Sequence, residues 1–422
     1  MPERQYRVLF VASHPVQYQA PLFRRLAAHP ELDVKVAYCS LRGAEAGYDP
    51  EFEATVQWDI PLLEGYAWTH VPNKGSDAET FFGLRNPGLW ELIREGEFDA
   101  VVCYLIYARA SFWISYLAAR LAGAAFLFGT DAHSFAARDG RAWKAAVKKV
   151  LWRRLFSLAD QAMARSTRTR EHLLAAGIPE SRISLVSSVV DNEWWMKQSA
   201  RTDRAAVRAS WHIPPNAPTV LFCAKLQPWK RPMDVLEAFG KLNRTQAVLV
   251  FVGEGPLRQS LERRAEQMGL SSRVRFLGFV NQSRLPAVYA ASDVMVLPSE
   301  YEPFGLVVNE ALCCGCPVIA SDRVGATQDL IGPLRTDFIF PCGDVENLAQ
   351  VLTEAFKEPA LLKELGRRAA ARMRKWSPEQ YVAETVQAVR KAASDKARTV
   401  SGKPSDTARQ PRSPAEREGL QG

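Results

Sequence analysis

Short apolar runs alternate along the chain with stretches in which apolar residues recur every three or four positions. Continuous apolar runs are typical of strands that a parallel sheet buries on both faces, and the wider spacing is typical of helices that cover such a sheet. In the first half the pattern predicts strands at 7–13, 34–39, 100–105, 124–129 and 161–165. In the second half it predicts strands at 219–224, 248–252, 274–277, 294–297 and 317–320. The chain is therefore predicted to be an α/β protein with two doubly wound parallel-sheet domains.

A proline-rich segment separates the two predicted domains. Pro214, Pro215 and Pro218 fall within five residues, a density typical of a linker or a boundary. Beyond 394 the only large apolar residues are Val400 and Leu420, which predicts a disordered tail. The predicted organisation is a first domain at 1–192, a linker at 193–215, a second domain at 216–376, a helix at 377–393 that crosses back to the first domain and a tail at 394–422.

The composition is that of a globular protein. The chain has 422 residues, of which 47% are hydrophobic and 24% charged, and these values exclude a largely disordered, collagen-like or coiled-coil protein. The N-terminal residues do not form a signal-peptide pattern. The most apolar region, 100–129, is interrupted by Arg109 and Arg120, whereas a membrane span needs about 20 consecutive apolar residues. We therefore expect this region to be a core strand, helix and strand.

Cysteine usage predicts a reducing compartment. The seven cysteines are odd in number and lie in apolar runs, which does not indicate a disulfide framework. Cys313, Cys314 and Cys316 suggest a metal site, but no second Cys/His pair stands at zinc-finger spacing, so we expect no metal. A cytoplasmic location follows, at the inner face of the cell membrane if the basic segment described next binds lipid.

The net charge of +8 is concentrated in one segment. Residues 138–170 contain ten basic and two acidic side chains, so this segment alone accounts for the whole excess. Within it, 141–158 has the apolar spacing of an amphipathic helix, with Trp152 and Phe156 among the basic positions. Such a helix can lie on an anionic membrane. The alternative is an ordinary surface helix whose apolar stripe faces the core, and we do not expect nucleic acid as a partner.

The densest chemical signal is the segment 298–312. A predicted strand ends at Leu297, a tight loop with Pro303 and Gly305 follows, and a helix begins near Leu306. Helix N-termini present unbonded backbone N–H groups and the positive end of the helix dipole, which suit a phosphate or diphosphate. Glu302 precedes this helix and Glu310 lies inside it, so both carboxylates could reach one extended ligand. The alternative is that both are incidental polar residues.

Two other loops point to the same chemistry. Lys225 and Lys230 follow the strand predicted at 219–224, and two cations at the carboxyl end of a strand suit a diphosphate, although a solvated lysine pair is the alternative. Gly253 and Gly255 follow the strand predicted at 248–252, but a dinucleotide-binding fingerprint would need glycine at 258, where Arg258 stands. NAD is therefore not expected.

Together these residues resemble the retaining nucleotide-sugar glycosyltransferases of family 4 (glycosyl transferases group 1), which have the GT-B fold of two Rossmann-like domains facing across a cleft. The resemblance extends from about 181 to 376, is weaker before that, and is carried by motifs in family order. They are Ala224-Lys225-Leu226 with Lys230, Val252-Gly253-Glu254-Gly255-Pro256, Phe276-Leu277-Gly278-Phe279-Val280, Pro298-Ser299, Glu302-Pro303-Phe304-Gly305-Leu306, Glu310-Ala311 and Gly315-Cys316-Pro317-Val318-Ile319-Ala320-Ser321.

The resemblance implies a role for each matching residue. Glu302 would bind donor-sugar hydroxyls and Glu310 the nucleotide ribose. Lys225 and Lys230 would hold the diphosphate and stabilise charge on the leaving group. The remaining donor-binding residues would be Phe304, Gly305 and Leu306 through their backbone N–H groups, and Gly253.

The first domain supplies further candidates, and some positions depart from the family. The family places a polar residue near the donor sugar after the strand predicted at 124–129, and Asp131 and His133 stand there, although a structural role for His133 is the alternative. His14 and Gln17 occupy the loop after the first strand, where the family has a glycine-rich loop, and we expect them to meet the acceptor. Lys225 replaces the usual arginine.

A second set of departures lies in the second domain. Arg231 stands where glycine is common. The segment 324–329 replaces a double-glycine loop that ends in an acidic residue. These departures bear on the identity of the sugar and of the acceptor more than on the class of reaction.

The resemblance implies the transfer of a hexose from a nucleoside diphosphate sugar to a carbohydrate or lipid-linked acceptor, with retention, in polysaccharide, glycolipid or related glycoconjugate synthesis. The absence of any Asp-x-Asp spacing agrees with a metal-independent enzyme. No cofactor is expected, because the nucleotide sugar is a co-substrate. The alternatives are another GT-B enzyme, such as a nucleotide-sugar epimerase, and a non-catalytic binding or scaffold subunit.

Overall fold

A computed structural model of the chain describes residues 4–49, 54–76, 80–132, 152–242 and 246–400. Within these residues the first domain has nine strands: β1 Tyr6–Ala12, β2 Leu32–Tyr38, β3 Gly47–Asp49, β4 Ala54–Val56, β5 Ala67–His70, β6 Ala100–Cys103, β7 Ala125–Thr130, β8 Gln161–Ala164 and β9 Ile183–Leu185. Seven of them form a parallel sheet in the order β5-β2-β1-β6-β7-β8-β9, and β3 pairs with β4 in an antiparallel ribbon. Val8 to Val11 in β1 are fully buried because helices cover both faces of the sheet.

The helices of the first domain divide between the two faces of this sheet. They are α1 Ala20–Ala27, α2 Gly88–Glu95, α3 Ala110–Ala122, α4, which includes residues 152–158, and α5 Thr167–Ala175. Leu22 and Phe23 of α1 pack on one face, whereas Leu89 of α2 and Phe112 of α3 belong to the core on the other face. Pro21 lies in the first turn of α1, where its missing N–H costs no helical hydrogen bond.

The second domain repeats the arrangement. Its strands are β10 Thr219–Cys223, β11 Val248–Val252, β12 Val274–Phe276, β13 Val294–Leu297, β14 Val318–Ser321 and β15 Ile339–Phe340, parallel in the order β12-β11-β10-β13-β14-β15. Its helices are α6 Asn192–Ala200, α7 Arg204–Ser210, α8 Pro232–Gly240, α9 Arg258–Gln267, α10 Leu285–Ala291, α11 Leu306–Cys313, α12 Val345–Lys357 and α13 Pro359–Met373. The predicted fold class, two doubly wound parallel-sheet domains, is confirmed.

The segment 193–215, predicted as a linker, is instead largely helical. It contains α7 and nearly all of α6, and both helices pack on the second domain. Trp195 is buried in the core of that domain, and Arg208 is buried with hydrogen bonds to the carbonyls of Ala291 and Ala217. The prediction was wrong because the prolines mark only the short approach to β10, while these two anchors hold the preceding helices against the sheet.

The last helix, α14 Pro378–Val400, lies on the first domain beside α1. Tyr381, Val386 and Val389 are buried in the core between α14 and the first sheet. The disordered tail was predicted to begin at 394, but the helix continues to Val400. Alanine, lysine and arginine propagate an existing helix without a buried face, so a lack of large apolar residues did not mark its end. The rest of the predicted tail, 401–422, lies outside the described residues.

Most of the predicted basic helix at 141–158 belongs to the segment 133–151, which lies outside the described residues. Residues 152–158 are helical, as expected. Trp152 and Phe156, however, are buried in the first-domain core rather than exposed among the basic side chains, and Trp152 Nε1 donates a hydrogen bond to the Tyr107 hydroxyl over 2.7 Å. The apolar stripe of the helix is therefore wider than predicted and includes both aromatic rings. In the described part of the chain, no helix combines the length and the apolar character needed to cross a membrane.

Candidate functional site

The candidate donor site lies at the carboxyl ends of three adjacent strands of the second sheet. β11, β10 and β13 are neighbours, and the loops that follow them carry Gly253, Lys225 and Glu302. Because carboxyl ends of parallel strands meet at one edge, this edge is where open α/β sheets bind ligands. The structure thus brings the second-domain candidates to one region.

Lys230 and Glu302 form an ion pair across two of these loops. Lys230 ends the 3₁₀ turn Pro228–Lys230, and its Nζ donates a hydrogen bond to Glu302 Oε2. The two side chains are only 17% and 13% exposed. A second bond, from Glu300 N to Trp229 O over 2.8 Å, joins the same loops through their backbones. Each charge is therefore held in place by the other in a partly desolvated position.

Gly305 provides the sharp turn into α11. Its φ is +96°, in the left-handed region that favours glycine, and an added Cβ would lie 3.1 Å from Glu302 Cγ. α11 begins at Leu306 without a side-chain cap. The first N–H groups of the helix therefore face the same loop as Glu302, which is the arrangement expected of an anion site.

A neighbouring loop fixes the backbone of this turn. Gly325 N donates to Glu302 O over 3.0 Å, and Ala326 N donates to Phe304 O over 2.8 Å. A Cβ at Gly325 would lie 1.9 Å from Pro303 O, so only glycine permits this approach. The loop that departs from the family pattern in sequence thus still supports the Glu302 turn.

Phe304 acts through packing and backbone rather than through an exposed ring. Its side chain is buried and stacks on Trp376, with ring centres 6.3 Å apart and planes inclined by 6°. Trp376 Nε1 in turn donates to Ser188 O over 2.8 Å. Trp376 was not among the predicted site residues, because nothing in the apolar pattern connects it with the loop that it supports.

Glu310 lies on the buried face of α11. The Tyr289 hydroxyl of α10 donates a hydrogen bond to Glu310 Oε2 over 2.8 Å and lies 3.4 Å from Cys223 Sγ. Burial raises the pKa of Glu310 to about 7, although the bond from Tyr289 acts in the opposite direction. Near neutral pH this carboxyl group can therefore exist in either protonation state. Sequence reasoning missed Tyr289, which reads as one more apolar position of α10.

The remaining second-domain candidates shape the loops around the turn. Gly253 has φ +129°, and a Cβ there would lie 2.0 Å from Ala224 O, so this glycine is needed for contact with the Lys225 loop. Lys225 is half-buried in that loop. Arg231, which stands where the family often has glycine, adopts φ +52° and is held by a 2.6 Å bond from Nε to Asp234 Oδ2.

The first-domain candidates lie at the carboxyl edge of the first sheet. His14 and Gln17 follow β1, and the Ser13 hydroxyl lies 2.9 Å from His14 Nδ1. Asp131 follows β7 and is exposed. His133, the other candidate after this strand, lies outside the described residues.

A cavity of about 160 Å³ lies between the two domains. Gln17, Tyr18 and Ile60 line it from the first domain, and Trp194 and Gln282 line it from the other side. Gln17, a predicted acceptor residue, therefore borders this cavity at the domain interface. Tyr18 was not predicted, although it stands next to Gln17 in the same loop.

Two contacts that the sequence did not predict join the domains. Asp59 accepts hydrogen bonds from the Ser283 hydroxyl and, over 3.1 Å, from Ser283 N. Asp329 Oδ2 accepts from Thr167 N at the start of α5 over 3.0 Å. Polar contact residues of this kind have no periodicity, so no signal in the sequence identifies them.

Cys223, Cys313 and Cys316 belong to the core of the second domain, and Cys314 packs against it. Burial raises the pKa of the Cys313 and Cys314 thiols well above their usual range, so neither is a reactive thiolate. Within the described ranges, no group of three or more His, Cys, Asp or Glu side chains could hold a metal ion.

Comparison with known protein families adds independent information to this geometry. The model described as "Glycosyl transferases group 1" matches residues 203–372, and the model described as "Glycosyl transferase 4-like domain" matches residues 4–188. The two matches are consecutive and together span most of the chain. The chain belongs to the glycosyl transferases group 1 family.

Several proteins that are similar to this glycosyl transferases group 1 member have names that state an activity. It is 31% identical over 50% of its length to D-inositol 3-phosphate glycosyltransferase 2 of Catenulispora acidiphila and covers 51% of that protein. It is 35% identical over 52% of its length to the GDP-mannose-dependent alpha-mannosyltransferase of Mycobacterium tuberculosis and covers 54% of it. It is 30% identical over 45% of its length to the N-acetyl-alpha-D-glucosaminyl L-malate synthase of Bacillus anthracis and covers 49% of it. The chain thus spans about half the length of the curated relatives it matches.

Solved structures extend the likeness over nearly the whole chain. A glycosyltransferase from Rickettsia africae matches with a TM-score of 0.71 at 19% identity, covering 92% of this chain and 98% of that one. Anabaena HepE in complex with UDP and glucose matches with a TM-score of 0.66 at 18% identity, covering 94% and 100%. These likenesses show the fold, and the group 1 chain has the GT-B arrangement expected from its motifs.

Proposed function

We propose that this chain is a retaining, metal-independent glycosyltransferase that moves a hexose from a nucleoside diphosphate sugar to an acceptor hydroxyl. Its product would belong to a cell-surface polysaccharide, a glycolipid or a related glycoconjugate. The observation that carries the proposal is the partly buried ion pair of Lys230 and Glu302 beside the N-terminus of α11. This arrangement brings a cation, a carboxylate and the positive end of a helix dipole close together in the cleft.

The proposed donor site divides by chemistry into two parts. Lys225, Lys230 and the first N–H groups of α11 supply positive charge for the diphosphate, which gains negative charge as the glycosidic bond breaks. Because protein groups already supply this charge, the reaction needs no metal ion in this proposal. Glu302 accepts hydrogen bonds from sugar hydroxyls, and Glu310 does the same for the ribose. Phe304, Gly305 and Gly253 hold the backbone that positions these groups.

The acceptor side of the proposal rests on the first domain. His14, Gln17, Asp131 and His133 are the proposed residues, and the cavity beside Gln17 supports a binding space between the domains. A relative's name mentions inositol 3-phosphate and another mentions malate, and both of these molecules are anionic. A carbohydrate or lipid-linked acceptor with an anionic group is therefore the proposed class.

The proposal predicts nucleotide release that depends on donor and acceptor together. Purified chain is incubated with UDP-, GDP- and ADP-sugars and cell-envelope lipid extract, and free nucleoside diphosphate is measured. Retention is read from the anomeric proton couplings of the product by NMR. An epimerase would change the sugar without forming a glycoside, and a scaffold subunit would release no nucleotide from any donor. Either result would overturn the proposal.

A matched pair of variants tests the role of Glu302. Glu302→Gln should remove transfer activity while leaving the circular dichroism spectrum and the unfolding midpoint close to wild type. Glu300→Gln is the control, because Glu300 lies in the same loop with a largely exposed side chain. Near-wild-type turnover by Glu302→Gln would remove Glu302 from the proposed site.

We also propose a cytoplasmic location and a peripheral contact with anionic membrane through 141–158 and through exposed side chains of α3. Leu117 and Leu121 of α3 are exposed at 49% and 61%, an arrangement that burial in the core does not explain. Arg120 lies between them, and Arg153 and Arg154 are exposed on the neighbouring α4. Apolar and basic side chains side by side suit a lipid surface.

Liposome flotation tests this contact. Wild type should float with anionic vesicles, whereas a variant with Leu117 and Leu121 changed to Glu, or one with Lys148, Lys149, Arg153 and Arg154 changed to Glu, should not. Lys363→Glu with Arg367→Glu on α13 controls for the loss of positive charge elsewhere. Equal flotation of all variants would overturn the proposed contact.

A further inference from the structure

Arg165 is a half-buried cation at the carboxyl edge of the first sheet. It directly follows β8 and points to the face covered by α14. Its guanidinium carbon lies 4.9 Å from the ring centre of Tyr104 and 5.8 Å from that of Tyr381. The hydroxyls of these two tyrosines lie 2.8 Å from each other. Aromatic rings therefore surround the charge on the side of the core.

The charge of Arg165 is not neutralised in the described part of the chain. No carboxylate there forms an ion pair with Arg165, and its Nη1 is buried without a hydrogen-bond partner. Burial raises the pKa of Tyr104 and of Tyr18, so these neighbours carry no negative charge near neutral pH. Burying a cation without an anionic partner is unfavourable, so an arrangement of this kind indicates a missing anion.

Arg208 shows how the same chain treats a structural arginine. Its Nη2 lies 2.8 Å from Asp293 Oδ2, and its Nε and Nη1 donate to backbone carbonyls of the second domain. Every nitrogen of that guanidinium therefore has a partner, and an adjacent carboxylate balances its charge. Arg165, which is half-buried, lacks both features, and its buried Nη1 has no hydrogen-bond partner.

Tyr18 connects Arg165 with the cavity between the domains. It interacts electrostatically with Arg165 and with Asp131, and it also lines the 160 Å³ cavity beside Gln17. Tyr18 is therefore common to the wall of the cavity and to the surroundings of Arg165. Lys225, Lys230 and α11, which are proposed for the donor diphosphate, belong to the opposite domain. The anion expected at Arg165 is therefore not the donor's.

We propose that Arg165 binds a phosphate or carboxylate group carried by the acceptor, with Tyr18 beside it as the entrance to this anion subsite. The guanidinium fork suits both groups, since each offers two oxygens in one plane. This inference rests on the proposed transferase function. In the acceptor complex, Arg165 Nη1 donates a hydrogen bond to the anion, and the hydroxyl to be glycosylated extends from the cavity toward the donor.

Phosphate titration on the full chain tests the subsite directly. The chain is first saturated with the nucleoside diphosphate that it binds, which fills the Lys225 and Lys230 site, and inorganic phosphate is then titrated by calorimetry. Wild type should bind phosphate under these conditions. Arg165→Gln should lower phosphate affinity at least 10-fold with unchanged nucleoside diphosphate affinity, and Arg165→Lys should restore part of it. Arg182→Gln, which removes the same charge beside β9, should behave as wild type.

The outcomes separate the subsite from a purely structural role and from the transferase proposal. Wild-type phosphate affinity in Arg165→Gln, or no phosphate binding by wild type, overturns the subsite. If Arg165→Gln does not fold, the phosphate affinity of Arg165→Lys distinguishes the two roles. A lower affinity supports the subsite, whereas a purely structural role of Arg165 would leave the affinity unchanged. If no nucleoside diphosphate binds, the transferase proposal fails, while the phosphate titration still decides about Arg165.

A displacement series identifies the source of the anion. Bound phosphate should be displaced by glucose 6-phosphate if the acceptor is soluble, or by vesicles containing phosphatidic acid if it is lipid-borne. Displacement by neither would overturn the assignment to an acceptor group.

Discussion

The Tyr289 hydroxyl donates a 2.8 Å hydrogen bond to Glu310 Oε2 in the interior of the second domain. This carboxyl group lies at the centre of the proposed ribose site, and burial raises its pKa to about 7. In the folded chain it therefore holds a proton between about pH 4.5 and pH 7, where an unfolded glutamate is ionised. Two measurable consequences follow, one for stability and one for binding.

The pH dependence of the free energy of unfolding should contain a contribution from Glu310. Because the folded state binds the extra proton, wild type should lose about 3 kcal/mol of stability relative to Glu310→Gln as the pH rises from 4.5 to 8. Urea unfolding of both proteins at several pH values measures this difference and cancels the contributions of other carboxylates. A difference that does not change with pH would contradict the position of Glu310 inferred from its burial.

Nucleoside diphosphate affinity should rise with pH through the same range, because the ionised carboxylate accepts hydrogen bonds from ribose hydroxyls more strongly. Tyr289→Phe removes the hydrogen bond that lowers the pKa of Glu310. Its binding midpoint should therefore move upward by about one pH unit. Calorimetric titrations between pH 5.5 and pH 9, compared with those of Tyr116→Phe in the first domain, test this shift. Identical midpoints for Tyr289→Phe and wild type would contradict it.

Lys230→Met should lower kcat by about 100- to 1000-fold. The lysine charge is proposed to stabilise the departing diphosphate, and its loss also leaves Glu302 partly buried without its ion-pair partner. Steady-state kinetics with the nucleotide sugar that supports transfer measure the effect. Lys241→Met is the control, because Lys241 pairs with Glu346 on the surface of the same domain. A change confined to KM would mean that Lys230 binds the ground state and the transition state equally.

The strands and the Glu302 turn were predictable because both depend on local signals. Apolar runs identified β1, β10 and β11, and a glycine before an apolar helix identified the start of α11. Tyr289 and Trp376 support the site from other elements, through a single hydrogen bond and a ring contact. Such contacts arise from tertiary packing and have no sequence period.

The errors have the same origin. Trp152 and Phe156 were predicted on the basic face because the predicted apolar stripe of the helix was too narrow. The helices α6 and α7 were not predicted because the prolines before β10 indicated a linker. In both cases the burial of a side chain depends on residues that are distant in sequence, as the contact of Trp152 with Tyr107 shows. The local pattern of apolar residues contains no information about such partners.

Asp59→Ala should weaken the contact between the two domains. Asp59 accepts two hydrogen bonds from Ser283 across the interface, and Trp58 lies against Phe279 with ring centres 6.1 Å apart. Loss of exposed charge-assisted bonds costs about 1 kcal/mol, so the donor KM should rise up to about 5-fold with little change in stability. Small-angle X-ray scattering should show a larger radius of gyration than that of Asp33→Ala. An unchanged radius and KM would show that this contact does not hold the domains together.

Trp376→Phe should loosen the donor loop without disrupting the core. Phenylalanine keeps a ring against Phe304 but cannot donate the hydrogen bond that Trp376 Nε1 makes to Ser188 O. Ser188 precedes α6 and Trp376 precedes α14, so this bond joins the two segments by which the chain passes between the domains. The Ser188 carbonyl would keep only the bond from Asn309 Nδ2, and the loss of the other bond should cost about 1 kcal/mol of unfolding free energy. Because Phe304 precedes the turn at Gly305, the donor KM should also rise several-fold. The control is Trp211→Phe, because Trp211 is a half-buried tryptophan of the same domain. An equal loss of stability with an unchanged KM in both variants would show that Trp376 does not position the loop.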